Sequence, residues 1–561
     1  LAEFPNKKFQ AGHDQAFYND VMNKEGFTTS DGFVGSVKDY FLAQSNGRFD
    51  LTFDVKGPYM MPQNYEYYGA NYKTKTMEMV QECTKQAHED GVDFSQYDWY
   101  GNGDVDLVYV IYAGYGQANS TDKNSIWPHA SRGPWISSYD GKQQRQYACS
   151  NEIDQQQGTN TSANAVAGIG TICHEFSHCL GFPDYYDIDY SGGYGMGTWD
   201  LMCSGSYNGN SYRPAGYTAY EKWVAGWLTP VELSTQDTEV NSLKPTSQGG
   251  NAYIMYNDGH KDEFYIMENR QKTGWDTALS GSGLLVSHVD YDADVWSANG
   301  PNNDPSHQRC TIAPADGSLS SYTEQGDCFP YGSRKSFTYT TSPKPFLYNQ
   351  NSDGSYMINH GLTDITRNSD GTVSFKFLTN TKPTEPTTKT ETVLHESFDK
   401  CNGRGGLGAW GGTQATGAFN PDVKGWTAGL EGAISGGSKC ALFGEKGYNP
   451  TFTSPAFTLS GDKATITIKV APFANDKGTT LKVKLSDSLE KTFTMTKSKW
   501  NTFTIETTLN GTFKLAFTTA DEESRLWFDD LLIEQTVTTT GISQTVADNV
   551  RKADNRIFTI N

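Results

Sequence analysis

No run in this chain approaches the roughly 18 consecutive apolar residues that a membrane-spanning helix needs, which excludes a helical membrane span. Basic side chains are scarce. The 45 Lys and Arg stand against 65 Asp and Glu, and a formal charge of −20 argues against nucleic acid or an anionic membrane as partner. That balance suits a soluble, exported protein. The nine cysteines are spread along the chain, odd in number and never in CxxC spacing, so they offer no cysteine-zinc site. Cys310 with Cys328, and Cys401 with Cys440, bracket two segments that disulfides would close in an oxidising compartment. No secretory signal opens the chain. Leu1-Ala2-Glu3-Phe4-Pro5 reads as the end of a strand, so upstream residues are expected to have been removed.

What the chain does have is aromatic side chains, 13% of residues, and 57 glycines beside a modest hydrophobic share of 36%. This mixture points to folded, turn-rich β structure rather than disorder. At roughly 150 residues per domain, the length of 561 fits three to four domains.

Residues 1–228 alternate helix-like stretches such as Gly35–Gln44 with strand-like runs such as Leu107–Tyr112, an α/β (α+β) pattern closed by a helix around Tyr217–Trp223. From 229 to 378 short strands alternate with Gly, Asn, Asp and Ser clusters, the signature of an all-β sandwich domain. The polar stretch 379–392, with two prolines, reads as a linker. Strands with clean alternation resume over 393–535, for example Ala464–Val470 and Thr480–Leu485, and suggest a C-terminal β jelly roll. Residues 536–561 read as a tail, a truncated approach to a further domain.

The chemistry concentrates in His174-Glu175-Phe176-Ser177-His178-Cys179-Leu180-Gly181-Phe182-Pro183-Asp184. A helix turns about 100° per residue, so His174 and His178 share a face and their imidazoles can converge on one ion. Glu175 lies beside that face, where a carboxylate reaches a metal-activated water as general base without becoming a ligand. The apolar lead-in Ala165–Ile172 and Phe176 and Leu180 predict a buried, rigid helix. Gly181 permits the left-handed turn that ends a helix and Pro183 forbids its continuation, so the chain can return Asp184 as a third, oxygen ligand. This predicts a zinc hydrolase. Cys173 and Cys179 fall off the two-histidine face and read as buried residues or disulfide partners.

Other groups extend the site. Met202, in Trp199–Tyr207, is placed to form a hydrophobic floor under the metal, and Tyr207 is a candidate hydrogen-bond donor to an oxyanion. Asp98, Asn102, Asp104 and Asp106 have the alternate oxygen spacing of a calcium loop, although Tyr100 and Tyr109 stand at two ligand positions and a tight Asx turn explains the same residues. Glu396, Asp399 and Asp529, near the expected first and last strands of the C-terminal unit, are a second candidate calcium set beside the alternative of solvated surface acids.

With HEFSHCLGFPD followed by WDLMCSGS, and with Gly35–Asp50, Asn102–Gly114, Phe264–Arg270 and Gly283–Asp290, residues 1 to about 375 resemble the immune inhibitor A-like family of secreted, metzincin-type zinc metallopeptidases. The resemblance implies a metzincin-like fold for 1–228, His174, His178 and Asp184 as zinc ligands, Glu175 as catalytic acid and base, and Met202 as the Met-turn residue. It also implies a propeptide, which suits the abrupt start at Leu1. Some metzincins carry a tyrosine two residues after that methionine, where this chain has Ser204. The C-terminal unit is similar to jelly-roll modules of bacterial adhesins and surface peptidases.

The resulting expectation is a monomeric, secreted or cell-surface zinc endopeptidase acting on protein or peptide substrates. Calcium is a candidate structural ion, and glycans or extracellular matrix are candidate partners of the C-terminal module. The rival reading is a surface adhesin or glycan-binding protein whose HExxH domain is vestigial, favoured by the extent of β structure beyond residue 228.

Overall fold

In the computed structural model, which describes all residues except 71, 121, 155–164, 384–386, 407–416, 431–432, 449, 474–475, 520–523 and 540–561, the chain forms two units, 1–382 and 383–561.

The first unit opens with a seven-stranded sheet of β1 (Ala2–Glu3), β2 (Tyr59–Met60), β3 (Asp104–Val105), β4 (Val108–Tyr115), β5 (His129–Tyr139), β6 (Lys142–Asp154) and β7 (Ala165–Val166). β1 lies between β2 and β4 and β6 pairs with β4 and β3, all parallel; β5 and β7 run antiparallel to β6. Around it lie α1 (Gln15–Asn23), α2 (Val37–Gln44), α3 (Tyr65–Gly69), α4 (Tyr72–Glu89), α5 (Ile169–Cys179) and α6 (Ala219–Val224). α2 begins at Val37 rather than Gly35 because Ser36 and Asp39 close a capping box, each side chain accepting the other's backbone N–H. Likewise the lead-in to the HExxH motif is not all helix: Ala165 and Val166 pair with β6, and α5 starts after Gly168.

Beyond α6 follow β8 (Val231–Glu232), β9 (Thr238–Leu243), β10 (Ala252–Asn257), β11 (His260–Arg270), β12 (Gly283–Asp290), α7 (Ala293–Ser297), β13 (Cys310–Ile312), β14 (Gly361–Arg367) and β15 (Val373–Leu378). They make one sheet of order β13-β12-β11-β10-β8 and another of order β14-β15-β9. The first of these is buried on both faces. Met255, Tyr265, Met267, Leu284 and Val286 pack with Val240, Phe375 and Phe377 of the smaller sheet. Their alternating neighbours Ile254, Phe264, Ile266, Leu285 and Val289 join one apolar cluster with Ile172 and Phe176 of α5 and with Met202. The period of two along a strand makes this possible. Every residue of β12 is buried.

The second unit is an antiparallel β-sandwich. Its last strand, Leu526–Thr539, lies between Lys463–Pro472 and both Ala441–Phe443 and the first strand, Thr387–Glu396. A second sheet contains Thr480–Ser486 and Ala516–Thr519, and Ile466, Ile468, Leu481, Val483, Phe517 and Phe528 fill the core. Thr387–Thr392, inside the stretch read as linker, is therefore strand: its β-branched residues pair with Glu534–Thr539 of the expected tail. Residues 540–561 of that tail lie outside the described residues.

The expected disulfides are absent: none of the nine cysteines forms one. Cys310 and Cys328 are packed as small apolar residues in the main core. In the second unit the sulfur of Cys401 accepts the Asn420 N–H, whereas that of Cys440 meets the Gly405 carbonyl.

Candidate metal centre

α5 carries the two histidines into the heart of the first unit. Its Gly170 approaches the 203–211 loop so closely that a Cβ there would sit 1.8 Å from the Ser206 carbonyl oxygen. The helix ends as its sequence dictates: Gly181 takes a φ of 101°, and Phe182 N–H returns to the Ser177 carbonyl at 3.2 Å. The turn brings Asp184 back. Its Oδ1 lies 3.1 Å from His174 Nε2 and 3.3 Å from His178 Nε2.

Which nitrogens face Asp184 is set by backbone carbonyls. His174 Nδ1 lies 2.9 Å from the Leu201 oxygen and His178 Nδ1 2.8 Å from the Phe182 oxygen. Both carbonyls accept, so each Nδ1 carries the hydrogen and each neutral imidazole turns an Nε2 lone pair inward. Asp184 Oδ1 is buried and has no hydrogen-bond partner. Three acceptors thus meet, and a cation is the group that satisfies them. Among the described residues only His174, His178 and Asp184 bring three His, Cys, Asp or Glu ligand atoms within 4.8 Å of one another.

Without a cation the electrostatics are strained. Burial acts to lower the His174 imidazole, but the Asp184 carboxylate and the Glu175 charge raise it to about 9, and His178 moves in the same direction. Burial acts to raise Asp184, yet the two imidazoles hold it far below the usual carboxylate range. Glu175 is buried beside them, and desolvation raises its pKa.

Met202 is fully buried, in one apolar cluster with Ile172 and Phe176 of α5. Its carbonyl accepts the Tyr185 N–H at 2.8 Å, and its own N–H donates to Asp200 Oδ1 at 2.6 Å. Asp200 and Glu221 are two buried carboxyls side by side; burial raises Asp200 to about 6 and Glu221 well above its normal value. Next to them Arg270, wholly buried, donates twice to Asp276 (2.8 and 3.0 Å) and to the Trp199 and Gly216 carbonyls (3.1 and 3.2 Å), pinning both ends of the Met202 loop. Tyr207 is half exposed, and desolvation and then the Glu175 charge push its phenol up to about 12.

The acidic sets named as calcium candidates do not converge in this way. Asp98 accepts the N–H groups of Asn102 and Gly103, both at 3.0 Å, and pairs with Lys142 at 2.7 Å. Asn102 Oδ1 accepts the Asp104 N–H, Asp104 pairs with Arg145, and Asp106 accepts the Trp99 N–H. This is a closed Asx turn. In the second unit Glu396 accepts three backbone N–H groups and Trp426 Nε1, Asp529 pairs with Lys469, and Asp399 is exposed near Lys439.

Two neighbours escaped sequence reasoning. Asn299 hydrogen-bonds Asp184, and the half-buried ring of Tyr186 lies parallel to that of His174, centroids 6.4 Å apart. Tyr186 could have been suspected from its place two residues after Asp184, but nothing in the sequence links Asn299 to the motif.

Residues 1–228 match the family described as immune inhibitor A peptidase M6, catalytic domain. This segment is similar to M6 catalytic domains over its whole length. The chain is 27% identical over 256 residues to immune inhibitor A of Bacillus thuringiensis subsp. alesti, covering 39% of this chain and 36% of that protein. It is 25% identical over 268 residues to the pre-pro-metalloprotease PrtV of Vibrio cholerae serotype O1 (strain M66-2), covering 40% of this chain and 28% of that protein. It therefore spans about a third of the length of these curated relatives. The xylan-binding domain CBM22-1 of Paenibacillus barcinonensis Xyn10C matches 26% of this chain and 96% of that domain, at 13% identity and a TM-score of 0.18, too distant to bear on function. The matched segment contains the whole HExxH helix and Asp184, but not Asn299 or Arg270.

Proposed function

We propose that this protein is a secreted zinc-dependent endopeptidase in which His174, His178 and Asp184 hold the metal and Glu175 moves the proton. One observation carries the reading: two inward Nε2 atoms and a buried, unpartnered Asp184 oxygen meet beside a buried glutamate. Two imidazoles and one carboxylate are the donor set of a catalytic zinc site. When bound, zinc would supply Lewis-acid polarisation of the scissile carbonyl and would lower the pKa of a water molecule. Glu175 accepts that proton on a carboxylate oxygen and later delivers it to the leaving amine nitrogen; its raised pKa matches both duties. The Leu201 and Phe182 carbonyls keep both imidazoles in the ligating tautomer. In this reading Met202 forms the floor of the site, and Tyr207, whose phenol stays protonated at neutral pH, donates to the developing oxyanion.

The match to the M6 family and the names of the two relatives support peptide hydrolysis and an exported precursor. No helix among the described residues is long and apolar enough to cross a membrane. The C-terminal sandwich, with its own core, is proposed as an anchoring module for glycan or matrix, and retention of residues 383–539 on a glycan array tests that role. The enzymatic reading is tested with Glu175→Gln: one zinc per chain should remain by metal analysis, while casein hydrolysis falls by about 10²–10⁴. Undiminished hydrolysis by this variant sinks the assignment.

A further inference from the structure

The third ligand is gripped from outside the segment that carries the family signature. Asp184 sits on an irregular stretch, residues 180–195, which must find partners for its backbone N–H and C=O groups elsewhere. Side-chain amides from the stretch after α7 supply many of them. Asn302 Nδ2 donates to the Tyr185 carbonyl at 2.9 Å, Asn303 Oδ1 accepts the Ile188 N–H at 3.1 Å, and Gln308 Oε1 accepts those of Tyr194 and Gly195, both at 2.7 Å. Asn299 does more than hold backbone. Its Oδ1 accepts the Asp184 N–H at 2.6 Å while its Nδ2 donates to Asp184 Oδ2 at 2.7 Å. One carboxamide therefore fixes both the peptide and the carboxylate plane of Asp184. With Oδ2 occupied, Oδ1 is the oxygen left facing the two imidazoles. The backbone of Asn299 has a φ of 60°, a left-handed conformation that asparagine tolerates better than most residues.

We propose that Asn299 is a positioning residue of the metal centre, selecting the orientation of Asp184 that presents Oδ1 to the ion. The segment homologous to M6 catalytic domains is then not self-sufficient as a metal site, because its third ligand is oriented by a residue beyond its end. This rests on the reading that His174, His178 and Asp184 bind zinc.

Two variants of the full chain test it. Asn299→Gly keeps the left-handed backbone and deletes the amide. Asn299→Asp keeps size and the acceptor for the Asp184 N–H, but turns an oxygen instead of an N–H toward Asp184 Oδ2. Zinc dissociation constants, measured by competition with a chromophoric chelator, should rise about 10–100-fold in both, the usual effect of losing an outer-shell partner. The thermal midpoint of metal-free Asn299→Gly, which adds no charge beside Asp184, should fall by no more than about 5 °C, which separates positioning from mere structural support. Zinc affinities equal to wild type in both variants overturn the proposal, as does a loss of affinity that only tracks a large fall in metal-free stability. The peptidase reading fails separately, on absence of casein hydrolysis by zinc-loaded wild type, which this affinity comparison does not use.

Discussion

Replacing Arg270 with methionine tests how far the metal centre depends on the β-sheet behind it. The guanidinium is wholly buried, makes a two-point pair with Asp276, lies 3.6 Å from Glu268 and caps the Trp199 and Gly216 carbonyls. Methionine keeps much of the volume and none of the charge. Asp276 would retain only the Gly216 N–H among these partners, leaving a buried carboxylate uncompensated, typically a loss of about 3–5 kcal/mol. Two stranded carbonyls add roughly 1–3 kcal/mol, partly overlapping with the first figure. The sum, on the order of 5 kcal/mol, rivals the whole stability of many domains. At about 2 °C per kcal/mol it lowers the unfolding midpoint by roughly 10 °C. Calorimetry of metal-free protein reads this directly, and weakened zinc uptake should accompany it because the loop holding Leu201 and Met202 loses both anchors. Asp276→Met added to Arg270→Met should recover part of the stability, since an apolar pair replaces an orphaned charge. A single variant melting within about 2 °C of wild type would show that the buried pair does not hold the loop.

Burial raises the Asp327 carboxyl to about 8 while its Oδ2 accepts Trp199 Nε1 at 2.7 Å. The folded state thus binds a proton that the unfolded chain releases near pH 4, so stability falls as pH rises from about 4 to 8. Asp327→Asn should flatten that decline and melt higher than wild type at pH 8.5; parallel pH curves for the two proteins would exclude the effect. Gly170→Ala ordinarily favours a helix, but here its Cβ meets the Ser206 oxygen at 1.8 Å, so a loss of about 1–3 kcal/mol is expected by urea unfolding. Stabilisation instead would mean the loop yields freely. Glu396→Ala strands three N–H groups and the Trp426 indole, and should cost several kcal/mol in the transition of the C-terminal unit alone, followed by Trp fluorescence. An unchanged transition would deny Glu396 its structural role.

The HExxH helix was the most legible part of the chain because its logic is local. Residue spacing on one helix face and a glycine at its end bring His174, His178 and Asp184 together with no information from elsewhere. β4 and α6 were legible for the same reason, the first from its apolar run and the second as a short helical segment; in the structure Thr218 and Glu221 close a capping box at the start of α6. Relations across long sequence separations were not. Nothing around Ala298-Asn299-Gly300 names Asp184 as its partner, 115 residues away. Strand patterns in 229–378 revealed β structure but not that β11 and β12 face two cores at once. Cysteine spacing suggested bridges, whereas burial alone accounts for Cys310 and Cys328. Acidic spacing at Asp98–Asp106 fits ion ligation and turn closure equally until the donors are visible, and in the structure Asp98 is engaged by Lys142 and the turn N–H groups.

The doubly buried sheet also bears on how such a protein can be cut and recombined. A gene fragment ending at residue 228 would carry the recognisable signature yet expose Tyr220 and Trp223 of α6, against which Phe264 packs. The signature is shorter than the cooperative folding unit. Exchange of this unit between genes should therefore tolerate junctions near Lys382, where one compact unit ends, and reject junctions near Leu228.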